Sequence, residues 1–110
     1  MAATIQQLST AYPLPYGQLV DFCEQWHVTE LALFGSILRD DFGPNSDIDF
    51  LVTFAANSHR SLLDLIKMEQ QLEALLNRKV DLITKKSIEQ SHNWIRRQAI
   101  LGSAQVIYAA

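Results

Sequence analysis

Apolar residues recur at Leu19, Phe22, Cys23 and Trp26, the i, i+3, i+4, i+7 spacing of one helix face, and predict a helix over Tyr16–Trp26. Val28–Phe34 reads as a buried strand that runs into Gly35-Ser36, with a short helical turn after it at Ile37–Asp41. Phe42-Gly43-Pro44-Asn45 is dense in turn residues. A second strand fits Ile48–Phe54, and residues 55–60 form a polar loop. Leu62, Leu65, Met68, Leu72 and Leu75 repeat at helical spacing and predict a long helix over Ser61–Asn77. A third strand fits Lys79–Thr84. Ser87, with Glu89 and Gln90 close behind, marks a capped helix start, with the helix running to Leu101 and stopping at Gly102. Gln105–Tyr108 closes the chain as a short strand. Ahead of all this, residues 1–12 are polar with scattered apolar positions and are read as a short helix, ended by Pro13 and Pro15.

That order of elements predicts an α/β (α+β) fold, a small mixed β-sheet with helices packed on it. The 110 residues are read as one domain, 1–110, with no repeat and no linker. A content of 48% hydrophobic and 19% charged residues excludes a disordered chain. No stretch approaches the ~20 apolar residues of a membrane span. The first residues lack the basic and apolar regions of a signal peptide. Cys23 is the one cysteine, which excludes an intrachain disulfide and fits a reducing cytoplasm. The net charge of −3 argues against a broad nucleic-acid footprint, and leaves open a small anionic ligand held by a few residues and a metal ion.

Candidate chemistry concentrates between Leu33 and Val52. Asp47 and Asp49 are two apart at the second strand, so they point to one face with Cα atoms about 6–7 Å apart. Carboxylates at that spacing can converge on one hard cation, and without it they repel. Gly35 allows close backbone approach, while the Ser36 hydroxyl and helix-start N–H groups can hold phosphate oxygens. Arg39, one turn into that predicted helix, adds compensating charge. Asp81 lies in the apolar run Val80-Asp81-Leu82-Ile83 and is costly if buried alone. With the second and third strands side by side, Asp81 joins the pair as a third carboxylate, a set suited to two-metal phosphoryl or nucleotidyl transfer. Taken singly, each piece also has a structural reading: a common turn, a solvated strand edge, a capping aspartate.

In combination, Gly35-Ser36-x-x-Arg39, then Ser46, then Asp47-Ile48-Asp49-Phe50-x-Val52 resembles the signature of the DNA polymerase β-like nucleotidyltransferase superfamily. The short length resembles its minimal branch, which includes antitoxin partners of HEPN-domain ribonuclease toxins. The motifs span about residues 28–84, and the element order nearly the whole chain. The resemblance implies that Gly35 and Ser36 bind the triphosphate of ATP. It further implies that Asp47, Asp49 and Asp81 ligate two Mg²⁺ ions, and that Asp81 also orients or deprotonates the attacking hydroxyl. Arg39 matches an arginine often found after Gly-Ser, and Ser46 a supporting residue at the strand entrance. The implied reaction is transfer of AMP to a hydroxyl, a tyrosine of the HEPN toxin, within a hetero-oligomer. Two positions depart from the pattern. Asp40 stands where glycine is common and brings negative charge towards the phosphates, and Phe50 stands where leucine is common.

Two other functions fit the same residues: a silent module that neutralises its partner by occlusion, and transfer to a small molecule or RNA. His27, His59 and His92 match no metal spacing, and Cys23 and Trp26 are read as core. Trp94, Ile95 and Ile100 with Arg96-Arg97 form either a helix packed on the sheet or a docking face.

Overall fold

The computed structural model describes Thr4–Ile5, as backbone, and residues 12–110. In chain order the elements are β1 (Thr4–Ile5), α1 (Tyr16–Gln25), β2 (Val28–Phe34), a 3-10 turn (Gly35–Leu38), β3 (Ile48–Phe54), α2 (Leu62–Leu76), β4 (Val80–Thr84), α3 (Lys85–Glu89), α4 (Trp94–Ser103) and β5 (Gln105–Ala109). The sheet order is β1-β5-β2-β3-β4. Among the described strands only β3 and β4 run parallel, because α2 carries the chain back across the sheet between them. The other neighbouring pairs are antiparallel.

Strand alternation divides the core into two layers. Leu31, Leu33, Ile48, Phe50, Val52 and Val80 point towards α1 and α2 and pack with Leu19, Phe22, Cys23, Met68 and Leu72. Ala32, Phe34 and Leu51 point the other way, against Ile88 of α3 and Ile100 of α4. The second layer is much smaller and leaves the first residues of β3 and β4 uncovered.

Local chemistry explains where α2 begins and ends. Ser61 Oγ accepts from the Asp64 amide at 3.2 Å, and Asp64 Oδ2 accepts from the Ser61 amide at 3.1 Å, a reciprocal capping box. At the other end Asn77 adopts the left-handed conformation, φ 52°, that stops a helix. On the outer edge of the sheet, Glu73 and Glu69, one helical turn apart, accept from the amides of Val80 and Leu82 at 3.1 Å each. These carboxylates occupy donors that an edge strand otherwise exposes.

Four expectations need correction. Thr4–Ile5 is a strand paired with β5, not part of a helix, and the rest of the predicted 1–12 helix through residue 11 lies outside the described residues. The turn after β2 is Gly35–Leu38 rather than Ile37–Asp41. The predicted helix from Ser87 to Leu101 is two helices. Thr84, not Ser87, caps the first, accepting from the Ser87 amide at 3.2 Å. Asn93 starts the second by accepting from the Arg96 amide at 3.0 Å, because its short polar side chain competes with continuous helix. Finally, Gly102 lies inside α4, which runs on to Ser103.

Candidate active site

The end of β2 and the starts of β3 and β4 meet at one end of the sheet. Phe34 pairs with Asp49 across the antiparallel ladder, and Asp49 pairs with Asp81 across the parallel one. Asp49 and Asp81 therefore lie side by side on the uncovered face, with Asp47 two residues back on the same side. Asp81 is exposed rather than buried, so the cost expected for a carboxylate inside an apolar strand does not arise. Asp47 and Asp49 are half-buried.

Gly35 has φ +78°, a conformation that favours glycine. A Cβ built there would run into the Asp49 carboxylate, its Cγ only 3.2 Å away. The chain thus turns directly over Asp49, and any side chain at residue 35 must displace that carboxylate. Ser36, half-buried, sits inside the turn, and its carbonyl accepts from the Arg39 amide at 2.9 Å.

Burial, and then the charges of Asp81 and Asp47, push the Asp49 carboxyl from its ordinary 3.8 up to about 6, while Arg39 pulls it back. Crowded carboxylates suit a hard, oxygen-seeking ion such as Mg²⁺. Among the described residues no three acidic, imidazole or thiol side chains already enclose a cation position. The three aspartates are gathered within reach of one another's charge without being closed.

Arg39 departs from the expected placement. It lies beyond the turn in extended backbone, not one turn into a helix, and its Nε pairs with Asp41 Oδ1 at 3.2 Å in the open. Asp40 is exposed beside it. Ser46 closes the loop before β3: its Oγ accepts from the Gly43 amide at 2.9 Å, and its amide donates to the Gly43 carbonyl at 3.1 Å. Phe50 is fully buried on the opposite face and has no part in the site.

Arg78 escapes a reading of the sequence. Its Nε donates to the Ser46 carbonyl at 3.0 Å, and its Nη2 donates to the Gly43 carbonyl. No spacing rule marks it, since its partners are backbone atoms more than thirty residues away.

A glycine-serine turn laid over paired strand carboxylates brings close backbone approach and oxygen donors to one place, chemistry that suits phosphate oxygens and a hard cation. The chain belongs to the nucleotidyltransferase domain family, whose sequence model matches residues 18–107. It is 42% identical over 66 residues to protein adenylyltransferase MntA of Thermococcus cleftensis, a match covering 60% of this chain and 65% of that protein. Its fold is similar to a chain of a toxin–antitoxin complex with AMP-PNP, at a TM-score of 0.67 and 19% identity, over 88% of this chain and 75% of that one. It is also similar to a chain in the complex of a tri-AMPylated Shewanella oneidensis HEPN toxin with its MNT antitoxin. There the TM-score is 0.58 and the identity 18%, over 86% of this chain and 69% of that one.

Proposed function

We propose that this chain transfers AMP from ATP to a hydroxyl, a tyrosine of a cognate HEPN ribonuclease toxin, and so acts as the antitoxin of a two-protein, cytoplasmic hetero-oligomer. The observation that carries the reading is the pairing of Asp49 with Asp81 beneath the glycine turn. The adenylyltransferase relative and the two complexes of similar fold support the substrate and the partner.

In this reading Gly35 and Ser36 lay backbone and hydroxyl along the triphosphate. Asp47, Asp49 and Asp81 hold Mg²⁺, which supplies charge to offset the triphosphate and the developing oxyanions. The acceptor oxygen bonds to the α-phosphorus, the α–β anhydride bond breaks, and pyrophosphate leaves with the bond's electrons. In the same reading Asp81, exposed on the edge strand, orients the arriving hydroxyl or takes its proton.

One observation favours a second reading, neutralisation by occlusion alone. Arg39, expected to offset phosphate charge, instead pairs with Asp41 Oδ1 at 3.2 Å in solvent. Intact-protein mass spectrometry separates the two, using this chain co-expressed with its toxin. The partner should gain the mass of one or more AMP groups with the wild type and none with Asp47→Asn/Asp49→Asn. A partner left unmodified by the wild type, in a stable complex and with its ribonuclease activity suppressed, would instead establish occlusion.

A further inference from the structure

Asp47 is held from both sides by one short segment of the chain. Before it, the Ser46 carbonyl accepts from Arg78 Nε at 3.0 Å. After it, the Ile48 amide donates to the Lys79 carbonyl at 2.9 Å. Two residues beyond Lys79, the same segment carries Asp81 into register with Asp49. The loop before Asp47 has no ladder of its own. Its shape rests on the turn between Gly43 and Ser46 and on the guanidinium, which bonds both the Ser46 and the Gly43 carbonyl. Arg78 is fixed in turn by rings: its guanidinium carbon lies 4.5 Å from the Phe42 centroid and 5.3 Å from that of Tyr12. Tyr12 is anchored by its hydroxyl, which donates to the Leu76 carbonyl at 2.5 Å.

We propose that Arg78 is a positioning residue that sets Asp47 beside Asp49 and Asp81, so that the three carboxylates can close on a divalent cation. The proposal rests on the metal-dependent reading above. Arginine suits this task because its planar fork spans two carbonyls while its face lies on aromatic rings. Lysine offers a single point charge and cannot fix both carbonyls in one geometry.

The test compares wild type, Arg78→Met and Arg78→Lys. Mn²⁺ binding in the presence of AMP-PNP is measured by electron paramagnetic resonance, amide exchange by NMR, and AMP transfer in parallel. Arg78→Met should weaken Mn²⁺ at least tenfold and speed exchange at Ile48, while exchange at Leu31–Leu33 in the core stays as in wild type. Arg78→Lys, which keeps the charge, should fall between. A merely structural role would lower the unfolding temperature and leave the Mn²⁺ affinity of the folded protein unchanged, which overturns the proposal. Wild-type Mn²⁺ affinity in Arg78→Met overturns it as well. If wild type transfers no AMP yet the variants lose Mn²⁺ affinity as expected, the adenylyltransferase reading fails and the positioning role stands.

Discussion

Asp49 and Phe50 are neighbours on β3 and face opposite layers. Phe50 is fully buried between the sheet and the two longer-packed helices, α1 and α2. Asp49 lies half-open on the other face, where α3 and α4 cover only the far part of the sheet. Stability comes mainly from the first face, through contiguous apolar burial. The second face is left thin at one end, and there like charges gather at a cost to folding. A small domain can hold unfavourable chemistry on one face when the other supplies the burial.

The largest effect that can break this comparison is on the buried side. Phe50→Ala should lose about 3–5 kcal/mol in urea unfolding, by lost transfer energy and the cavity left behind. A loss under 1 kcal/mol would show that the α1/α2 layer is not the main source of stability. Next comes the edge. Glu69→Ala/Glu73→Ala strips two backbone donors of β4 of their partners and should cost about 1–3 kcal/mol, with concentration-dependent association visible by light scattering. Gly35→Ala should cost about 1–2 kcal/mol in the same urea assay, because a side chain at this φ is strained and displaces the Asp49 carboxylate. Its effect on AMP transfer should be far larger than its effect on stability.

The smallest effect concerns Asp49 itself. Its carboxyl is raised from 3.8 to about 6 in the folded, metal-free protein. The folded state therefore binds the extra proton, and stability falls as pH rises from about 4 through about 6. Asp49→Asn removes this loss. It should unfold at a higher temperature than wild type at pH 7.5, by the equivalent of about 1 kcal/mol after solvent screening, and show no gain near pH 4. A variant less stable than wild type at pH 7.5 would mean that the charges on this face are already compensated.

Much of the fold was legible because local chemistry and the apolar pattern agree. β2 and β3 have the predicted bounds, and α2 falls within a residue of them because Ser61 and Asn77 mark its ends. Asp49 and Asp81 could be placed together as soon as their strands were read as neighbours. What the sequence hid was set by competition or by distance. The break between α3 and α4 depends on Thr84 and Asn93 winning over Ser87 as caps. The placement of Arg39 depends on a turn that ends one residue before it. Arg78 depends on carbonyls brought close only by the tertiary fold.

A different end of the sheet offers the rival location for a nucleotide. Past the carboxyl ends of β3 and β4 lies a cleft of about 590 Å³ lined in part by His59, Arg60, Lys85 and Lys86. The most direct measurement is therefore an amide NMR titration of the labelled protein with Mg²⁺ and AMP-PNP. The account predicts shifts at Gly35, Ser36, Asp47, Asp49 and Asp81, lost in Asp47→Asn/Asp49→Asn. Shifts gathered at Arg60, Lys85 and Lys86, or none at millimolar ligand, would contradict it.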